Sequence, residues 1–289
     1  MVYNRKTKTY EKDSQTGGIF LKLIYSSLMK PVRGPFLEKD FSENAAWLLG
    51  KIYTRRRIKQ IMAKYNVDSN LFQNDPRENF KEFFLRKYKT SALPQVRHGD
   101  IISPSDGNIS TYSISDELMV KVKEQQYTIK ELFAGSEVAN FFNGGTLFLI
   151  RLSIHDSHRF IYTEKGAFSG KAFRRIPGVL HSLSPYSKRE MVLQENERRY
   201  SILETGHGLV GIMEVGAMMV GRIRYQRALK AVRYEERGWF EPGASTILIF
   251  YQKGIAQPDM DLVRETAAGN EVRIRLGERI GQYTHERTK

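Results

Sequence analysis

Three short segments carry the side chains that could do chemistry. Ser103-Pro104-Ser105-Asp106-Gly107-Asn108 sets a carboxylate beside a glycine. Asp-Gly is a hairpin signal, so on its own the segment reads as a turn. His155-Asp156-Ser157-His158-Arg159 comes two residues after the largely apolar run 147–152. A strand ending in that cluster places titratable groups at a sheet edge, where they suit proton transfer; the plain alternative is a solvated loop. His155 and His158 find no evident third ligand, so no metal is expected. Gly238-Trp239-Phe240-Glu241-Pro242-Gly243-Ala244-Ser245-Thr246 leads into the apolar run 247–251. Small residues around Ser245 let the backbone bend sharply, and its hydroxyl can then reach the preceding carbonyl. It is not the nucleophile elbow of hydrolases, because the glycine two residues later is missing and a strand follows. The chain has no cysteine, which removes thiol nucleophiles, thiolate zinc sites and disulfides.

The elements that must position these groups fall into two textures. The first ninety residues read as helical: Ser42 caps a helix through about Tyr65, and Asp75-Pro76 starts another with Phe80, Phe83 and Phe84 on one face. From about Leu93 short alternating runs dominate, at 118–123, 146–154, 209–215 and 272–276, while 247–251 reads as a buried strand. The expectation is α+β, with N-terminal amphipathic helices on a mostly antiparallel β-sheet or barrel-like body. Residues 1–90 would form a basic, membrane-associating region and 91–289 a β-rich catalytic domain.

Charge narrows the partner. The net charge is +14 over 289 residues, and residues 1–60 hold thirteen Lys or Arg against five acids, more than half of that excess. Large apolar side chains are interleaved with the charges. The runs are far shorter than the ~20 residues needed to span a bilayer, and no apolar signal-peptide core is apparent. Basic amphipathic helices at an anionic membrane surface fit this mixture, and so do ordinary surface helices with solvated charges. No nucleic-acid-binding motif accompanies the charge, so a nucleic-acid partner is not expected.

In this order, the three segments and four further motifs resemble the phosphatidylserine decarboxylase family. Phe80-Lys81-Glu82-Phe83-Phe84-Leu85-Arg86 is like F-x-E-F-F-x-R, residues 103–107 like S-P-x-D-G, and residues 151–159 like R-L-x-x-x-D-Y-H-R. Asn196-Glu197-Arg198 matches N-E-R, and Val215-Gly216-Ala217 with Val220-Gly221 matches V-G-A-x-x-V-G. Residues 243–246 resemble the G-[GS]-S-T processing site, and Gly277-Glu278 with Ile280-Gly281 the closing G-E-x-I-G.

The resemblance implies a self-processing proenzyme. Ser245 Oγ would attack the Ala244 carbonyl, and cleavage at 244/245 would give a β chain 1–244 and an α chain 245–289 headed by a pyruvoyl group. That group, the cofactor, would form a Schiff base with phosphatidylserine and release CO2, leaving phosphatidylethanolamine. Asp106 would help drive self-cleavage and His158 would act near the substrate. A homodimer and a peripheral or monotopic place on the cytoplasmic face of a bacterial membrane are further implications. Four positions depart from the pattern: Ile161 stands where a second His is expected, Ser157 for Tyr, Ser184 for Asn after His181-Ser182-Leu183, and Ala244 for Gly. With Ile161 unable to move a proton, either His158 serves both steps or Asp106 acts more directly. The alternatives are pyruvoyl decarboxylation of another amino acid or serine lipid, or an unprocessed protein that binds anionic lipid.

Overall fold

A computed structural model describes residues 1–12, 22–23, 26, 28–32, 34–37, 51–122, 125–181, 191–217, 223–241 and 245–284. Its strands begin with β1 (Val2–Asn4), β2 (Thr9–Glu11), β3 (Asp100–Ile102), β4 (Gly107–Ser113), β5 (Met119–Val122) and β6 (Gln125–Thr128). Next come β7 (Thr146–Leu152), β8 (Arg159–Ile161), β9 (Gly166–Phe168), β10 (Arg174–Ile176), β11 (Arg198–Thr205) and β12 (Gly208–Val215). The last are β13 (Ile223–Tyr225), β14 (Glu236–Phe240), β15 (Ser245–Tyr251), β16 (Ala256–Pro258), β17 (Glu271–Ile274) and β18 (Arg279–Tyr283). Helix α1 (Arg55–Lys64) and helix α2 (Phe80–Phe84) precede most of the strands, and α3 (Met260–Ala267) lies between β16 and β17.

A ten-stranded sheet runs β10-β11-β12-β15-β7-β4-β17-β1-β2, with β9 also on β11. Three-stranded sheets β13-β14-β8 and β16-β18-β3 and the hairpin β5-β6 complete the described strands. β1 lies parallel to β17, and the other strand pairs are antiparallel. The α+β, mostly antiparallel expectation therefore holds. The barrel-like form does not: the large sheet ends on β10 at one side and β2 at the other, with no ladder joining them among the described residues. Strand alternation fits an open sheet and a barrel equally well, because closure depends on edge pairing that no local pattern encodes.

Every residue of β15 is buried, which explains its unbroken apolar run. Its pleat sends Ile247, Ile249 and Tyr251 to one face, where Phe160, Ile223 and Phe240 of the β13-β14-β8 sheet cover them. Leu248 and Phe250 point to the other face, against Ile129, Leu132, Phe133 and Phe142.

The N-terminal section differs from expectation in two ways. Residues 2–11 contain strands, because Val2, Tyr3 and Asn4 pair with Glu271, Val272 and Arg273 at the far end of the chain. α1 starts after Thr54, whose extended backbone and side-chain bond to the Arg57 amide form the cap, so no single helix runs through to Tyr65. The expected start at Ser42 lies outside the described residues. Ile58 and Met62, four apart, are the buried face of α1 and meet Phe80, Phe83 and Phe84 of α2. Asn79 caps α2 by accepting from the Glu82 amide at 2.9 Å.

Candidate active site

β4 begins, β7 ends and β15 begins at the same end of the large sheet, because neighbours in an antiparallel sheet run in opposite directions. The register fixes this: Asn108 faces Arg151, Arg151 faces Thr246, and Leu152 faces Ser245. Three segments more than forty residues apart in sequence thereby meet: the 103–107 corner, the 153–158 loop and Ser245.

The corner is not the hairpin that Asp-Gly suggested. β3 belongs to the β16-β18-β3 sheet and β4 to the large one, so residues 103–106 carry the chain from sheet to sheet. Gly107 makes the turn at φ +154°, and a Cβ there would lie 2.8 Å from Arg151 O; only glycine permits that approach. Ser103 exchanges backbone bonds with Glu278 O (2.8 Å) and the Gly277 amide (2.9 Å), which ties the corner to the closing motif.

Asp106 is buried and surrounded by donors. The Tyr88 hydroxyl donates to it, 3.0 Å from each oxygen; the Leu276 amide donates at 2.9 Å and the Ser157 amide at 3.2 Å. Arg86 Nη2 stands 3.8 Å away. The Arg86 guanidinium is spent elsewhere, on Phe83 O and His155 O at 2.6 Å each. Burial pulls the Arg86 pKa down, with Asp106 opposing. Ser157, which departs from the family pattern, donates its hydroxyl to Arg86 O at 2.7 Å.

His158 is fully buried, and its main chain is clamped: its amide donates to Phe84 O and its carbonyl accepts from the Phe240 amide, both at 3.0 Å. The ring stacks on Phe84 with centroids 3.6 Å apart, so α2 serves as its platform. Nδ1 lies 3.1 Å from Asp156 O. A carbonyl oxygen only accepts, so Nδ1 carries the proton there and a neutral ring keeps its lone pair on Nε2. Phe240 ends β14, five residues before Ser245, so the clamp holds His158 beside the strand that leads to Ser245.

Asp156 bonds the Ser153 amide at 2.7 Å and the Arg273 guanidinium. Burial disfavours its charge, yet Arg273, His155 and that amide outweigh burial and hold the carboxyl well below the usual carboxylate range. His155 stacks on Tyr65, centroids 3.8 Å apart. The two imidazoles of the segment therefore lie on different aromatic partners.

Ser245 is buried, on the face shared with Ile247 and Ile249, and its Oγ has no hydrogen-bond partner among the described residues. Ala244 lies outside the described residues, as do Val220, Gly221 and residues 182–184. Ile161 packs with Ile102 and Leu276, and Tyr88 lies against that cluster. Asn196 is a clamp rather than a catalyst: its side chain bonds His181 N and O at 2.9 and 2.7 Å and Gly216 O at 2.6 Å.

A cleft of about 230 Å³ opens beside Asp106, lined by Arg86, Tyr88, Arg273 and Arg275 and by the exposed Lys6 and Lys64. Tyr88 and Arg273 were missed by sequence reasoning. Arg86 fell within a quoted motif but carried no role.

The model of the phosphatidylserine decarboxylase family matches residues 80–282, more than half of the chain. The phosphatidylserine decarboxylase proenzyme of Clostridium perfringens is 33% identical over 294 residues, covering 97% of this chain and 98% of that protein. That of Ruminiclostridium cellulolyticum is 32% identical over 301 residues, covering 100% and 99%. Proenzyme 2 of Clostridium acetobutylicum is 31% identical, covering 97% and 98%. The motifs that meet at the end of the large sheet all fall within the matched region, and the chain belongs to the phosphatidylserine decarboxylase family.

Proposed function

We propose that the chain is a precursor that cuts itself between Ala244 and Ser245, and that the product decarboxylates phosphatidylserine to phosphatidylethanolamine and CO2. The observation that carries this reading is the meeting of Ser245, Asp106 and the His158 loop at one sheet end, with the Ser245 hydroxyl buried and without a partner among the described residues. Burying a hydroxyl that none of the described residues bonds is costly, and such a hydroxyl at the head of β15 is available to react.

Ser245 Oγ attacks the Ala244 carbonyl carbon, the bond from that carbon to the Ser245 nitrogen breaks, and the hydroxyl proton ends on the nitrogen. His158 or Asp106 carries the proton. Elimination across Cα–Cβ of residue 245 then releases the β chain, 1–244, as a carboxylate. One water completes the change, leaving ammonia and a pyruvoyl group at the head of the α chain, 245–289. The ketone supplies an electrophile for the substrate amine and a sink for the electron pair left by CO2. His158 Nε2 is suited to hold the proton that replaces CO2. Arg275, Lys6 and Lys64 of the cleft beside Asp106 suit the phosphate of the headgroup.

Residues 1–90 would bring the enzyme to an anionic membrane, and the catalytic domain, 91–289, would also draw on Phe84, Arg86 and Tyr88 and on strand β1 from that region. No helix of the described residues is long and apolar enough to cross a membrane. The exposed Leu23 and Leu28 and the basic Arg55, Arg56 and Arg57 favour contact with its surface. The cytoplasmic face of a bacterial membrane is the place this reading assigns.

Intact mass of the purified protein tests the cleavage. Two chains divided at 244/245, the smaller blocked by pyruvoyl, are expected; one uncut chain under native conditions refutes it. Ser245→Ala should stay whole and inactive. Phosphatidylserine in mixed micelles, assayed against free amino acids, separates this substrate from the alternative amines.

A further inference from the structure

We propose that Tyr88 is a positioning residue for self-cleavage, its hydroxyl holding the Asp106 carboxylate in a chain whose position 161 is isoleucine. The inference rests on the roles given above to Ser245 and Asp106.

The geometry is specific. The Tyr88 oxygen is 3.0 Å from both carboxylate oxygens, and a carboxylate has no proton to give, so the phenol is the donor. Burial, with the Asp106 charge, pushes the Tyr88 phenol well above the usual tyrosine range, so it keeps that proton. The remaining short bonds to Asp106 come from the Leu276 and Ser157 amides, and Arg86 stands off at 3.8 Å. Among the described residues Tyr88 is therefore the side chain that hydrogen-bonds this carboxylate. The bond matters to the reacting end because Asp106 also holds the Ser157 amide, one residue from His158.

Ile161 explains the phenol's placement. Its amide bonds Pro104 O at 2.9 Å, and its side chain joins Ile102 and Leu276 in the apolar cluster against which Tyr88 packs. Position 161 thus lies on the corner that carries Asp106. A side chain there and one at 88 compete for the same neighbourhood, and this chain fills it with a wall at 161 and a donor at 88.

The test is the rate of self-cleavage in the full chain, followed from synthesis by separating cut from uncut protein. Tyr88→Phe should cleave ~10–100-fold more slowly, the loss expected for one hydrogen bond to a charged group. The other charged and titratable groups around this site, Arg86, His155, Asp156, Arg273, Arg275 and Glu278, are unchanged in the variant. Adding Ile161→His to Tyr88→Phe should recover part of the rate by returning a donor from the opposite wall. Tyr88→Phe cleaving at the wild-type rate overturns the inference. So does a slow variant whose melting temperature falls in step and which Ile161→His does not rescue, since that is a packing effect. A wild-type chain that never cleaves overturns the Ser245 reading instead, so the two failures are distinguishable.

Discussion

Two buried clusters in this molecule have the same ingredients, an arginine, a carboxylate and a tyrosine, and they are wired differently. Between the sheets, Arg237 grips Glu214 through Nε at 2.7 Å and Nη2 at 3.3 Å, and the Tyr225 hydroxyl adds a bond at 2.6 Å. Tyr162, Phe173 and Tyr225 wrap the guanidinium. Burial works against its charge, but Glu214 outweighs burial and raises the Arg237 pKa. At the sheet end, Arg86 spends its nitrogens on backbone carbonyls and Asp106 depends on Tyr88 and two amides. There burial prevails, and the Arg86 pKa falls. One cluster is closed on itself. The other leaves its carboxylate beside a cleft, held by groups that orient it without neutralising it.

The largest expected effect is on the closed pair. Arg237→Met strands Glu214 in an apolar interior and should cost about 3–5 kcal/mol in urea unfolding. Replacing both, with Glu214→Leu as well, should recover most of that loss, since a well-packed apolar pair avoids burying charge. Arg86→Met should cost less, about 2–3 kcal/mol, because Asp106 keeps three other donors and the chief loss is the bonds to Phe83 O and His155 O. Equal losses for Arg86→Met and Arg237→Met would erase the contrast.

Acid sharpens it further. Asp156 is held below its unfolded value of ~3.9, so its contribution is present above that pH and lost as pH falls. Urea midpoints should therefore drop from about pH 4 downward, a slope that Arg273→Met should flatten. The smallest effect distinguishes the tyrosines. Tyr225→Phe should lower stability by about 1–2 kcal/mol and leave the cleavage rate unchanged, the reverse of the emphasis expected at Tyr88.

The segments that meet at the sheet end were legible in the sequence, because Asp106, His158 and Ser245, the candidate site residues, sit in short motifs whose composition is itself unusual. The strands at 146–154, 209–215 and 247–251 were legible for a local reason, the alternation or continuity of apolar residues. What escaped was non-local. Tyr88 looks like any aromatic beside a basic stretch until β3 and β4 separate and bring Asp106 to it. Arg273 reads as the outward residue of an alternating strand, and only the meeting of β17 with the 153–158 loop gives it Asp156. The Asp106-Gly107 turn misled because a two-residue signal fixes backbone shape without naming the strands it joins. The N-terminal strands were hidden in the same way, since β1 finds its partner at the other end of the sequence.

The placement of β15 and β17 has a consequence for what a cut before Ser245 can separate. β15 runs between β12 and β7, β17 between β4 and β1, and β18 between β16 and β3. The piece from Ser245 onward is thus threaded through two sheets, and its release would demand tearing out interior strands. Scission there would create a new terminus without creating a detachable subunit. Folding would have to come before cutting, and two halves made separately should reassemble poorly, because neither presents a finished surface for the other to dock upon.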